Sequence, residues 1–252
     1  MYGDTVSAVA ATAKNKVNFM KTKPGGFFLM AMMAGLYIGL GSCLMLVVGS
    51  AMVGQPAQKL LNGLVFAVGL PMVMMAGSEL FTGNNMVMSV GAYCRTVTWA
   101  DACRFWVICW LGNLVGSLAV AVLFTLTGIP GANEYAATVA AGKMGQSVVA
   151  LFSKAIFCNI CVCIAIWCGT KLKSEGAKIA MAVFCVVTFV TCGFEHSIAN
   201  MTFLTVGLMN PGTVEGLSIG GWFYNMIVVT LGNVVGGALC VGLPYYLTGR
   251  EG

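Results

Sequence analysis

The sequence predicts an all-α membrane protein: six transmembrane helices built as two inverted three-helix repeats, with the second helix of each repeat broken at the midplane. Three observations predict it. The composition excludes an ordinary soluble domain, since 59% of the 252 residues are hydrophobic and 8% are charged, against about 25% charged in soluble proteins. The charges are segregated: residues 24–58, 60–78, 105–133, 155–170, 179–194 and 216–249 carry none, and a transmembrane helix needs about 20 apolar residues. Third, the two halves of the chain repeat one another in motif and in order.

Residues 1–23 hold Lys14, Lys16, Lys21 and Lys23 and lack an apolar core, so they do not read as a cleavable signal peptide. Spans follow near 27–50, 60–95, 104–127, 147–170, 178–209 and 217–247. They make one transmembrane domain over 1–252, with repeats at about 27–127 and 147–247. With the N-terminus in the cytoplasm, Lys14, Lys16, Lys21, Lys23, Arg95, Arg104, Lys171, Lys173, Lys178 and Arg250 fall inside, and only Lys59 and Lys143 fall in outer loops. This obeys the positive-inside rule. It places both termini on the cytoplasmic side of a multi-pass protein of the cytoplasmic (inner) membrane. It also accounts for the net charge of +5 without a nucleic-acid partner.

The repeat rests on three matches. Leu111 to Leu118 reads LGNLVGSL and Leu231 to Ala238 reads LGNVVGGA. Gly77-Ser78-Glu79 resembles Gly193-Phe194-Glu195, and Asn85-Met86 resembles Asn200-Met201. Three spans per half force the second half to run upside down, the plan of many transport proteins. The second span of each half, 60–95 and 178–209, is too long for a ~30 Å hydrocarbon core at ~1.5 Å per residue. Each also carries polar residues near its middle, Ser78 to Asn84 in one and Glu195 to Ser197 in the other. A helix broken there presents free N–H groups and a positive dipole end to the centre, which favours an anion.

The single histidine, His196, follows Glu195 within a span, and ionisable residues at that depth usually mark a pathway or a pair. A buried imidazole can donate a hydrogen bond or a proton to a passing weak acid or its anion. A satisfied core histidine is the structural alternative. Thr82 and Ser197 are available hydroxyls, but there is no nucleophile elbow, cofactor fingerprint or metal set, so neither an enzyme nor a cofactor is expected. Glu79 and Glu195 would repel an anion if they lined its path. They are expected to point away and accept backbone N–H groups at the helix breaks. The eleven cysteines, including the C-x-x-C-x-C run of Cys158, Cys161 and Cys163, read as reduced and packed in spans.

At "AGSELFTGNNM", "FEHSIANM", "FCNICVCIAIW" and "LGNVVGGALCVG" the chain resembles the formate/nitrite transporter family over nearly its whole length. The resemblance implies an aquaporin-like six-helix protomer, assembly as a homopentamer in a lipid bilayer, and one pore per protomer for a small monovalent weak-acid anion such as formate, nitrite or hydrosulfide. It implies roles as well. His196 matches the central pore histidine, and Thr82 matches the threonine of the loop that breaks the second helix. Leu80 and Phe81 match apolar residues of that loop. Phe66, Leu70, Val162 and Phe189 match two apolar constrictions. Asn159 and Asn200 match central polar positions, Glu195 matches the glutamate before the histidine, and Lys143 matches the vestibule lysine. A second vestibule lysine lies somewhere within Lys14 to Lys23. Lys154 is expected to snorkel to the outer surface, with a place in a vestibule as the alternative. The rival reading is a channel for neutral small solutes, whose flux would ignore the charge at Lys143.

Overall fold

The computed structural model describes residues 2–249, and every described element is helical. Arg250, counted above among the inner basic residues, lies outside them. The helices are α1 (Gly3–Thr22), α2 (Pro24–Ala51), α3 (Gln58–Phe66), α4 (Gly69–Ala76), α5 (Phe81–Tyr93), α6 (Trp99–Leu126), α7 (Ala132–Met144), α8 (Val148–Lys171), α9 (Glu175–Thr191), α10 (Ser197–Met209), α11 (Ile219–Val235) and α12 (Leu243–Gly249). A π-helical stretch, Gly236–Gly242, joins the last two. It stands just before Pro244, which has no N–H to give to a regular helix.

Helix starts follow local chemistry. Thr98, Ser147, Ser174 and Ser218 each turn a hydroxyl oxygen back to accept the backbone N–H three residues on, satisfying one of the donors that a helix N-terminus leaves free. Pro24 opens α2 at a position where no N–H is needed. Among the described residues, five stretches are long and apolar enough to cross a membrane: Pro24–Ala51, Gln58–Ala76, Trp99–Leu126, Val148–Lys171 and Ile219–Gly249. The long spans 60–95 and 178–209 are each interrupted, the first into α3, α4 and α5 and the second into α9, with 17 residues, and α10, with 13.

Two of the expected connecting segments are helices. The N-terminal segment is α1, which buries Val6, Val9, Ala10, Ala13, Val17 and Met20 against α5. The outer loop 128–146 contains α7, which buries Ala132, Ala136, Ala137, Ala140 and Met144 against α10. Their apolar residues recur every three or four positions, as one helix face requires. Small residues and low overall hydrophobicity hid that face among the longer spans.

The most extensive helix pairs are α2 with α6 and α8 with α11. The repeated L-G-N-x-V-G motif explains both. A Cβ on Gly116 would lie 2.0 Å from the Met32 carbonyl oxygen, and one on Gly236 would lie 2.5 Å from that of Ile156. Only glycine lets those backbones approach. This close contact brings the asparagine of each motif to a helix break.

Candidate functional site

Helix α4 gives way to α5 at Gly77–Leu80, and α9 to α10 at Cys192–His196. At the first break Asn113 Oδ1 accepts the Phe81 N–H (2.9 Å), while its Nδ2 donates to the carbonyls of Ala31 (2.7 Å) and Glu79 (2.8 Å). At the second, Asn233 Oδ1 accepts the Ser197 N–H (2.9 Å), and its Nδ2 donates to the carbonyls of Ala155 (2.8 Å) and Glu195 (3.0 Å). The Glu79 N–H reaches the Met30 carbonyl and the Glu195 N–H reaches that of Lys154. Each break is thus stitched to the two neighbouring helices, which meets the demand that buried backbone groups find partners. Both asparagines are fully buried.

The carboxylates do not take backbone N–H groups, which corrects the sequence expectation. Glu79 Oε2 pairs with Lys16 Nζ and accepts Asn84 Nδ2 at 2.9 Å. Glu195 Oε2 pairs with Lys143 Nζ at 2.8 Å and accepts Asn200 Nδ2 at 2.6 Å, while its Oε1 accepts Gln146 Nε2 at 3.0 Å. The amphipathic helices α1 and α7 deliver the lysines, so asparagines take the place that free N–H groups were expected to fill. The first pair also singles out Lys16 among the four N-terminal lysines. Asn84, rather than Asn85, stands where Asn200 stands, so the true register of the repeat is one residue off the Asn-Met match.

Each pair lines a cavity. One, of about 470 Å³, is bounded by Lys16, Met30, Glu79, Leu80 and Asn84 among others. The other, of about 230 Å³, is bounded by Phe66, Lys143, Gln146, Lys154, Phe189, Glu195, His196, Asn200 and Phe203 among others. The carboxylates therefore face these cavities rather than pointing away. Lys154 does not snorkel outward either: its Nζ donates to Gln146 Oε1 at 2.6 Å inside the second cavity. Phe66 packs against Phe189 and Phe203, with ring centroids 6.0 and 6.2 Å apart. Phe189 stacks on the imidazole of His196 at 5.8 Å. Lys143 Nζ lies 5.7 Å from the centre of the Phe203 ring.

Between the cavities, Thr82 Oγ1 and His196 Nε2 lie 3.0 Å apart, with Thr82 fully buried and His196 3% exposed. Thr82 belongs to the first turn of α5 rather than to the loop. His196 is the N-cap of α10, and its Nδ1 accepts the Ala199 N–H at 3.1 Å. That fixes the tautomer: with Nδ1 an acceptor, the neutral ring carries its proton on Nε2. The imidazole then donates to Thr82 Oγ1, whose own hydroxyl proton is left to point elsewhere.

The remaining expected residues are spread more widely. Leu80 lines the first cavity. Leu70 and Val162 are buried (2% and 1% exposed) and line neither vestibule. Asn159 Nδ2 donates to the Asn233 carbonyl at 2.6 Å, which ties it to the helix pair rather than to a cavity. Phe81, whose backbone N–H Asn113 holds at the start of α5, is among the residues lining an apolar side groove with Trp106, Trp110 and Trp222. Cys158 and Cys163 are buried, and among the described residues no group of three or more His, Cys, Asp or Glu could hold a metal.

Apolar spanning helices around two lysine-flanked cavities define a membrane transport protein. The model of the formate/nitrite transporter family matches residues 3–247, and the chain belongs to that family. It is 35% identical over 250 residues to the nitrite transporter NirC of Escherichia coli (strain K12), a match covering 98% of this chain and 92% of that protein. A solved FNT family ion channel matches with a TM-score of 0.91 at 32% identity, covering 97% of this chain and 98% of that one. A pentameric formate channel with formate bound matches with a TM-score of 0.80 at 28% identity, covering 88% and 96%.

Proposed function

We propose that the protein is a homopentameric membrane channel whose protomers each pass small monovalent weak-acid anions, formate or nitrite first and hydrosulfide as a third candidate. The single observation that carries this is the buried Thr82–His196 pair between two cavities, each bearing one Lys–Glu pair. In this reading each protomer crosses the membrane six times as two inverted repeats in an aquaporin-like arrangement, with both termini and Lys16 on the cytoplasmic side. Family membership, the matched Asn113 and Asn233 contacts and the positive-inside distribution support it.

The mechanism follows from energetics. A bare anion loses heavily on entering a dry apolar slit. The lysines Lys16 and Lys143 raise its concentration at either mouth. Phe66 and Phe189, which line the Lys143 cavity, narrow one approach, and Leu80, which lines the Lys16 cavity, narrows the other. At the centre the His196 Nε2–H supports Thr82 Oγ1, whose hydroxyl proton faces the passing species. The anion of a weak acid accepts that hydroxyl's hydrogen bond, which masks part of its charge, and any proton it takes up to cross as the neutral acid comes from water in the cavities, since neither the Thr82 hydroxyl nor the neutral imidazole gives one up. Asn159 and Asn200 hold the surrounding backbone and carboxylate in place.

Liposome uptake of formate, nitrite, hydrosulfide, chloride and glycerol tests this, with His196→Asn measured at two pH values. The expected outcome is uptake of at least one weak-acid anion, exclusion of chloride and glycerol, and loss of flux or of its pH response in the variant. Glycerol flux without anion flux would overturn it.

A further inference from the structure

The repeat supplies its own control for one side chain. Met30 and Lys154 hold equivalent places: the carbonyl of each accepts the N–H of the glutamate at its break, and the next residue in each, Ala31 or Ala155, accepts from the stitching asparagine. Both side chains line the cavity of their own half. One is a thioether and the other an ammonium.

The difference changes the charge of the two mouths. Lys16 and Glu79 are the charged residues lining the first cavity, and they pair. Lys143, Lys154 and Glu195 are those lining the second. Glu195 is taken by Lys143 (2.8 Å), Asn200 (2.6 Å) and Gln146 (3.0 Å). Gln146 stands between Glu195 and Lys154, giving its amide nitrogen to the carboxylate and its oxygen to the ammonium (2.6 Å). It spaces the second lysine from Glu195, the one carboxylate among the described residues that line this cavity. One cavity is balanced and the other keeps an excess positive charge.

We propose that Lys154, held by Gln146, forms an anion-docking site in the Lys143 cavity that has no counterpart in the Lys16 cavity, and that this site gives the pore two unequal mouths. The proposal rests on the anion-channel reading for its role in flux, though not for the binding itself. A passive pore must show the same ratio of limiting rate to half-saturation from either side. The excess charge therefore appears as a lower half-saturation concentration for the anion presented to the Lys143 side. One unpaired charge acting across a few ångströms of water changes local anion concentration roughly two- to fivefold, and the effect fades as salt shortens the screening length from about 30 Å at 0.01 M to about 3 Å at 1 M.

Right-side-out and inverted membrane vesicles separate the two mouths. Formate and nitrite uptake would be measured for the wild-type chain, Lys154→Met, Lys154→Arg and Met30→Lys, at low and high ionic strength. At low salt Lys154→Met should raise the half-saturation concentration about two- to fivefold on the Lys143 side alone and remove the difference between sides. Lys154→Arg should retain it, Met30→Lys should create a matching fall on the other side, and high salt should level all four. A parallel titration of the purified protein with formate and nitrite, read as thermal stabilisation, tests the site without transport: Lys154→Met should weaken it by a similar factor. Anion flux that ignores Lys154 at low salt, with unchanged titration, would sink the docking site and leave the channel standing. Lys154-dependent binding without anion flux would do the reverse.

Discussion

The two helix breaks are built from the same parts and part company at the N-cap of the helix that follows. Each has a buried asparagine making three bonds, a glutamate paired with a lysine from an amphipathic helix, and an asparagine five residues beyond the glutamate. Each has a glycine of positive φ, Gly77 at 75° and Gly193 at 70°. At the N-cap of the following helix the first break has Leu80 and the second has His196. The shared residues are those the backbone needs in order to end one helix and begin another inside a bilayer. The unshared residue is the one with chemistry to offer. Departures from the repeat, His196 against Leu80 and Lys154 against Met30, are therefore where function is to be sought.

If that division holds, the stitching asparagines should be equally costly to lose. Asn113→Ala and Asn233→Ala each remove three buried hydrogen bonds and leave the N–H of Phe81 or of Ser197 without its partner, while Ala31 and Ala155 lie within α2 and α8 and the Glu79 carbonyl keeps the Cys109 thiol. At about 1 kcal/mol for each bond lost and more for the stranded N–H, either should lower stability by roughly 3 kcal/mol or more, read as a large fall in thermal midpoint in detergent. A large effect at one site and a small one at the other would break the equivalence.

The carboxylates sharpen the comparison, because their surroundings differ. The Glu195 side chain is 3% exposed and its Lys143 partner 17%, while Glu79 and Lys16 are 11% and 23% exposed. Glu195 also has one more partner, Gln146. Removing one member of a buried pair costs about 3–5 kcal/mol and of an exposed pair at most about 1. Glu195→Ala should sit near the upper value and Glu79→Ala clearly below it, as measured by urea or thermal unfolding of each variant. Equal losses would mean that water reaches both pairs alike.

Much of this was legible in the chain. The over-long spans 60–95 and 178–209, with polar residues at Ser78 to Asn84 and Glu195 to Ser197, located the breaks, and the L-G-N-x-V-G motif and the Gly-x-Glu tripeptides marked the repeat. What escaped was whatever depended on two helices meeting. Helices α1 and α7 look like connecting segments because their buried faces are mostly alanine and valine, yet they bring Lys16 and Lys143 to the carboxylates. Without them the glutamates had no visible partner but backbone. The Asn84-Asn85 dipeptide hid which amide turns toward Glu79, since the motif match favours the wrong neighbour. Lys154 could not be placed because a lysine two turns into a span fits either the lipid boundary or a cavity. Only Gln146, eight residues earlier, decides between them.

The centre gives a smaller effect on stability. Thr82→Val keeps the shape of the side chain and removes the hydroxyl bonded to His196 Nε2 at 3.0 Å. The loss should be about 1–2 kcal/mol, a hydrogen bond plus one stranded buried donor. Flux should fall far more than stability does. A variant with full thermal stability loss and unchanged flux would show that the pair serves packing alone.

The glycines should give an effect as small and the most even one. Gly77 and Gly193 have positive φ, and no atom lies within 4 Å of a Cβ added to either. Steric crowding by neighbours therefore drops out, and what remains is the backbone penalty of an L residue in that conformation, about 1–2 kcal/mol. Gly77→Ala and Gly193→Ala should each lower stability by about that amount, and by amounts that agree within a few tenths of a kcal/mol. The pair is a fair test because the two breaks differ in charge, in exposure and in the residue at the N-cap, none of which bears on this term. Equilibrium unfolding of both variants would check it. If Gly193→Ala were much worse than Gly77→Ala, the second break would be held in its conformation by strain shared with His196, and the division between backbone parts and chemical parts would fail at the very residue it was drawn to isolate.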